Sequence, residues 1–485
     1  MIICRFLLVS LNIEAILEEV TLGHRRKKLE EMVRGNGLSD AYTTTLTRLK
    51  EQKGNKSVLG LKVLTWVLHS ERPLLAEELC HALAVEMGSL DLDTRSVPVL
   101  RTLLSSCLGL VTVEGSSSTV RLVHFTLQEH LLSDPTLIPS PHSTIAEVCL
   151  TYLNFQCIRD LPLTLDFYFP KMPLLEYASI YWGKHTRMGM TENVKILALR
   201  LLDRFDEHIS TQILLLRYMN EDETMSSIRA SWIGFPGFTG LHGVAFFGIV
   251  EILPALSEMK EWDANAGDFM ETTALAWAAI KGYEEVVKML LERKEVNPSQ
   301  AGTLYGRTPL AWAARCGHEE IVKMLLEREE VNPDQSDTEC GQTPLSLAAE
   351  MGHEEIVKLL LEREEVNPDQ ADTFYGRTPL SWAAACGHTG VVNMLLEREE
   401  VNPDQADRNG GRTPLSWAAG SGHKGIVRIL LEREDVNPGQ SGTKYGKTPV
   451  WWAAKGGQAE VVKILLEREE VNPNQADTKY GRTPI

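Results

Sequence analysis

The sequence predicts a mainly α-helical chain whose rear half is an α-solenoid with extended fingers. Three observations predict it: one pattern recurs every 35 residues, the apolar residues inside it have helical spacing, and only two short strand-like segments stand out, near the front. TPLAWAARCGHEEIVKMLLEREEVNPDQ returns as TPLSLAAEMGHEEIVKLLLEREEVNPDQ, with the anchoring Thr at Thr273, Thr308, Thr343, Thr378, Thr413, Thr448 and Thr483. A weaker copy, TGLHGVAFFG, starts at Thr239, so seven units are complete and an eighth stops after three residues. A fixed period in the thirties means that each unit buries its apolar face only against its neighbours.

The elements follow in chain order. Ile13, Ile16, Leu17 and Val20 continue an apolar start that lacks a signal-peptide cleavage site, so residues 1–56 are expected to form a helical segment of something larger. Helices are expected around Tyr42, Leu46 and Leu49, over 57–68, around Leu75, Leu79 and Leu83, and over 97–107. Strands at 110–114 and 120–125, joined by GSSST, come next, and Thr126 with Glu129 reads as a capping box for a closing helix. Helices followed by a two-stranded wing suggest a winged helix at 57–138. Residues 139–238 read as a helical linker with helices at 144–155, 173–184 and 192–205, interrupted by Pro162, Pro170 and Pro173. Tyr177, Tyr181 and Trp182 have the spacing of a core stripe, with a cofactor stack as the alternative.

Residues 239–485 are the repeats. In the Thr378 unit that residue caps a first helix, Pro379 takes the first helical position, and Gly387 closes it in the left-handed conformation. Val391, Val392, Met394, Leu395 and Leu396 mark the second helix, and Pro403 opens the finger.

TPLxxAAxxGHxxIVxxLLL followed by VN resembles the ankyrin repeat over about half the chain. The His usual after TPL is present only as His242, so the family's Thr to His hydrogen bond is not expected elsewhere, and the 35-residue unit exceeds the usual length of about 33. Further forward, ERPLLAEELCHAL, VLRTLLSSCLGLVTVE and VRLVHFTLQEHLL resemble the winged helix that follows the NACHT module of fungal STAND NTPases, relatives of the NOD-like receptors. The resemblance extends over roughly residues 5–235 and implies that the chain is similar to the C-terminal part of such a receptor. It also implies that His124 matches a winged-helix His that touches nucleotide phosphate when a NACHT module is present; a structural His between strand and helix is the other reading. Phe125 stands where many relatives carry Asp.

The chemistry of an enzyme is not found in these residues. The loop G-x-x-x-x-G-K-[ST] is absent: YGKT ending at Thr448 has Ser441 at the first Gly position, and WGKH ending at His185 has Ala178 there. HEEIV at His318 and His353 puts Val322 and Val357 where a second zinc ligand would project. This winged helix also takes a name from inositol deacylases, but no G-x-S-x-G nucleophile elbow is present. We expect no metal site and no cofactor. A formal net charge of -17 argues against general affinity for nucleic acid or anionic membrane, and the helix at 97–107 offers little beyond Arg101 to a DNA groove. Eight scattered cysteines without a CxxC pair point to a reducing, cytoplasmic setting.

Near-identical units show which positions are free to differ. The pair after each AA varies most: Ile280 and Lys281, Arg315 and Cys316, Glu350 and Met351, Ala385 and Cys386, Gly420 and Ser421, Lys455 and Gly456. Finger tips vary too, as Leu304 and Tyr305 against Asn409 and Gly410. Neutral drift of exposed positions is one reading; the other is a diversifiable contact surface for a protein partner on the inner edge of the solenoid and its fingers. The Trp column at Trp277, Trp312, Trp382, Trp417 and Trp452 is read as stacking between neighbouring helices rather than as a hot-spot ladder, and the His column at His318, His353, His388 and His423 as turn-stabilising. The face of Val461, Val462, Ile464 and Leu465 in the last full unit is expected to be partly bare. The function expected is an interaction protein without catalysis. The alternatives are the rear half of a NACHT NTPase whose catalytic part lies upstream, and a winged-helix DNA-binding regulator.

Overall fold

The computed structural model describes residues 20–27, 38–163, 172–221, 235–258, 263–303, 305–442 and 444–484. Ile13, Ile16, Leu17, Pro170 and Leu304 lie outside them. Contacts divide the chain into Met1–Gly240 with Glu251–Ser257, and Leu241–Val250 with Glu258–Ile485.

In the front unit, α1 (Leu38–Lys50) buries Tyr42, Leu46 and Leu49 along one face, and α2 (Lys56–His69) packs on it with Val63, Leu64 and Trp66 buried. Helix α3 (Ala76–Ala84) begins where the buried Glu78 carboxylate accepts the Leu75 N–H at 2.7 Å and holds Arg72 through two donors at 2.8 and 2.6 Å. After α4 (Leu100–Ser106) come β1 (Val111–Val113) and β2 (Val120–Leu122), antiparallel with Val111 opposite Leu122. The segment before α3 joins this wing, since the Val120 N–H donates to the Leu74 carbonyl at 2.8 Å.

Helix α5 (Phe125–Leu132) corrects the expected capping box. His124, extended at φ -157 and ψ 149, is the cap, its Nδ1 accepting the Thr126 N–H at 3.3 Å. Thr126 lies inside the helix, past the cap position, and its hydroxyl lies 2.8 Å from both the Tyr42 hydroxyl and His124 Nδ1.

Helices α6 (Pro141–Leu153), α7 (Gln156–Arg159), α8 (Leu175–Met188), α9 (Glu192–Leu202) and α10 (Ile209–Glu221) complete the front unit. Helix α8 packs between α6 and α10 with Tyr177 and Trp182 wholly buried, which makes them core. The pattern of α10 was not singled out from the sequence. It is anchored by His208, which takes the Ser210 N–H on Nδ1 and meets the Leu153 carbonyl at 3.0 Å through Nε2.

Each repeat is a helix pair followed by a finger. In the Thr378 unit the Thr oxygen accepts the Ser381 N–H at 3.2 Å, the first helix spans Pro379–Cys386, Gly387 at φ 90 ends it, and the second spans Thr389–Leu396. Ser replaces the family's His here: its hydroxyl lies 3.3 Å from that of Thr378, and 3.2 and 3.3 Å from Thr343 and Thr413 in their units. Leu380, Ala383, Ala384, Val391, Val392 and Leu395 have no exposed surface, so small alanines let successive first helices pack closely.

Three kinds of polar link tie a unit to the one before, the His link in the four units that carry the His. The His column does more than brace its own turn: His353 Nε2 lies 3.0 Å from the Arg315 carbonyl, and His388 2.9 Å from that of Glu350. Arg433 and Arg468 donate to the carbonyls of Leu396 and Leu431 at 3.0 and 2.6 Å, and fingers join through single backbone bonds such as Arg408 N–H to Tyr375 C=O at 2.7 Å. The face of the last unit expected to be partly bare is so at Val462, half-buried where Val392 and Val427 have no exposed surface, whereas Val461, Ile464 and Leu465 are buried. They pack within their own helix pair and on the preceding unit. The exposed position is Leu466, at 40%, where Leu431 is covered to 8% by the following unit.

Candidate interaction surface

The variable pairs close the first helices. Ile280 and Lys281, Arg315 and Cys316, Glu350 and Met351, Ala385 and Cys386, and Gly420 and Ser421 are the last two helical residues of their units. In the final unit Lys455 ends the helix and Gly456 follows as its cap. The first member of each of the first four pairs gives its carbonyl to the next unit's His, at 2.9 to 3.2 Å. The second member faces solvent at Cys316, Met351, Cys386, Ser421 and Gly456. Backbone at the first position is therefore committed to the stack in those units, while side-chain identity changes at both positions. Arg315 and Glu350 come together as an ion pair at 3.7 Å. Although their side chains reach solvent, desolvation by the protein packed around them pushes the thiols of Cys316 and Cys386 up, with Glu350 adding to the effect at Cys386, so neither is an activated nucleophile.

Beside this row lies a second one that the sequence reading did not single out. Arg307, Arg377, Arg412 and Lys447 each precede a capping Thr, and their cations lie over the Trp column; Thr272 and Gln342 hold that position in the Thr273 and Thr343 units. The Arg377 guanidinium lies 4.3 Å from the Trp382 ring centre and 3.6 Å from that of Trp417; Arg412 lies 4.3 Å from Trp417 and 3.3 Å from Trp452. Lys447 follows at 5.0 Å from Trp452 and 4.0 Å from its neighbour Trp451. From Trp312 onward the Trp column is interleaved with cations, while Trp277 meets Phe246 of the preceding unit's first helix at 5.4 Å, the helix-on-helix stacking expected.

The tryptophans are also pinned from the fingers. Nε1 of Trp277, Trp382 and Trp417 donates to Asp268, Asp372 and Asp407 at 2.8, 3.1 and 3.1 Å. The other oxygen of each Asp collects backbone N–H groups of its own finger, two of them in Asp407, from Gly410 at 2.8 Å and Arg412 at 3.1 Å. Where the finger has Gly442 in place of Asp, Trp452 Nε1 is buried without a partner among the described residues. In the Thr343 unit Leu replaces Trp, and the finger carboxylate of Asp337 binds Arg307 at 3.1 Å instead.

Charge is segregated on the last three full units. The exposed ends of their second helices carry Glu399, Glu400, Glu434, Asp435, Glu469 and Glu470. The fingers from 408 onward expose Arg408, Lys444, Lys479 and Arg482, while Asp407 and Asp477 are buried in the finger turns. A basic, aromatic edge therefore runs along a chain of net charge -17.

His124 sits apart, half-buried at the start of α5, its ring 4.4 Å from that of the exposed Phe125. What it does in this geometry is cap a helix.

Comparison with known families agrees with both halves. The family described as ankyrin repeats matches three times, over residues 241–337, 329–407 and 399–477. The family described as GPI inositol-deacylase, winged helix domain matches residues 47–146, starting ahead of the boundary expected at 57. The chain therefore contains ankyrin repeats behind a winged helix. No curated protein matches it. No helix among the described residues is long and apolar enough to cross a membrane.

Proposed function

We propose that this chain is a non-catalytic, cytoplasmic interaction protein whose solenoid binds a protein partner along the edge formed by the first-helix ends and the fingers. The observation that carries the reading is the split within each variable pair. Both members differ between otherwise near-identical units: the first gives its backbone carbonyl to the stack in the first four pairs, and the second, such as Met351 or Ser421, faces solvent in all but the first pair. The helical front part, expected at 1–56, the winged helix at 57–138 and the linker at 139–238 fit the remnant of a STAND-type receptor, with His124 reserved for nucleotide contact only where a NACHT module is present. DNA recognition by the winged helix is disfavoured by the acidic charge of the chain.

The test is site-specific photo-crosslinking in cells that express the chain. A photoreactive residue at Met351 or Ser421 is expected to capture a defined protein, whereas one at Lys358 or Arg428, on the exposed face of the second helices, is not. Capture that is equal from both faces, or confined to the second helices, would overturn the assignment.

A further inference from the structure

The cation and tryptophan ladder is not needed to build a repeat. In the Thr343 unit Gln342 and Leu347 replace its Arg and Trp. The first helix still spans Pro344–Met351, Thr343 still caps it through Ser346 N–H at 3.2 Å, and the His bonds on either side are intact. A device that one unit omits without changing its fold is free to serve another purpose in the units that keep it.

We propose that the ladder from Arg377 to Lys447 is a docking strip for an acidic segment of a partner protein; this rests on the interaction reading above and gives it a chemistry. Arg377 and Arg412 are half-buried, each with its guanidinium between two indole rings, which restricts the cation before a carboxylate arrives while part of the side chain stays open to solvent. The nearest carboxylate groups are already engaged, Asp372 and Asp407 each by an indole N–H and by finger amides. Lys444 and Lys479 at the exposed finger tips extend the positive strip. A nucleic acid fits less well. The indole faces that would stack on bases are covered by cations, and Glu434 and Glu469 on the same units repel an extended polyanion.

The experiment is fluorescence anisotropy on the full chain with a labelled peptide alternating Asp and Ala. A Lys and Ala peptide, a Ser and Ala peptide and a single-stranded oligonucleotide serve as comparison probes. The acidic peptide is expected to bind most tightly, to weaken as salt rises, and to lose about tenfold or more in affinity with Arg377→Gln and Arg412→Gln combined. The exposed pair Lys444→Glu and Lys479→Glu, which touches no buried contact, is expected to weaken it without altering the circular dichroism of the chain. Arg428→Gln, on a second helix, is expected to leave it unchanged. Equal binding of the neutral peptide, tighter binding of the oligonucleotide, or acidic-peptide binding indifferent to both pairs of substitutions would overturn the proposal. If that happens while crosslinks from Met351 and Ser421 still capture a protein, the docking chemistry falls and the interaction reading stands.

Discussion

Replacing Gly352 with Ala attacks the joint between two repeats at one atom. Gly352 ends the first helix of the Thr343 unit at φ +80, and a Cβ built there would lie 2.4 Å from Nδ1 of His388 in the next unit. Two costs add. A non-glycine residue in the left-handed region costs about 1–2 kcal/mol. The imidazole must also move off the Glu350 carbonyl, which it meets at 2.9 Å, and losing a half-buried hydrogen bond of this kind costs about 1 kcal/mol. The expected destabilisation is therefore about 2–3 kcal/mol. It falls on a nearest-neighbour term of a one-dimensional array, so the urea transition followed at the helical circular-dichroism band is expected to broaden as well as shift. Gly425→Ala is the control: it lies in a second helix, has no neighbour within 4 Å of the added carbon, and is expected to stabilise by up to about 1 kcal/mol. In a double-mutant cycle, His388→Ala should cost less in the Gly352→Ala background than alone, because the bond is already gone. A Gly352→Ala chain as stable as the parent, or a Gly425→Ala chain equally damaged, would refute the reasoning.

Three further outcomes are expected. Burial, with His142 beside it, holds His185 down to about 3, and burial holds His208 down to about 4. Both fold as neutral rings, so their contribution is complete above the unfolded value near 6.5 and is lost as pH falls below it. By pH 5 the loss is about 2 kcal/mol apiece, and urea midpoints of the front unit that do not move between pH 7.5 and pH 5 would contradict this. Trp417→Phe leaves Asp407 without its indole donor and is expected to cost about 1–2 kcal/mol, whereas Trp452→Phe removes a buried N–H that has no partner and is expected to be near neutral; chemical denaturation of the two side by side is the check. If His124 acts as a cap, His124→Asn should keep most of the stability of the front unit and His124→Leu should lose about 1 kcal/mol by the same measurement.

What was legible in the sequence was local. Thr378, Pro379 and Gly387 declare a helix start and stop because a cap, a first-turn proline and a left-handed glycine act within a few residues of themselves. His388 and Arg433 act on carbonyls 38 and 37 residues away, so their spacing in one unit says nothing about the joint they make with another. The cap on α5 was misplaced by two residues because Thr126 is a good cap by type, while its hydroxyl is taken by Tyr42, a residue 84 positions earlier. Of the candidate surface, the variable pairs were visible because comparing units exposes positions that tolerate change. The ladder left a weaker trace in the joint replacement of Arg and Trp by Gln342 and Leu347 in a single unit. Reading that pair as coupled requires knowing that a residue just before the capping Thr reaches the indole of its own and the following unit. Of the face expected to be partly bare, Val462 is and Val461 and Leu465 are not, since which side of a helix pair meets the preceding unit is a property of the stack.

The account stands most directly on where a partner touches the solenoid. Hydrogen exchange of the full chain, alone and saturated with the protein recovered by crosslinking from Met351 or Ser421, measures that contact unit by unit. Slowed exchange in the fingers and at the ends of the first helices, over 372–421 and 442–456, with the second helices unchanged, is the result predicted. Protection confined to the second helices and their acidic ends would contradict the assignment of the binding face.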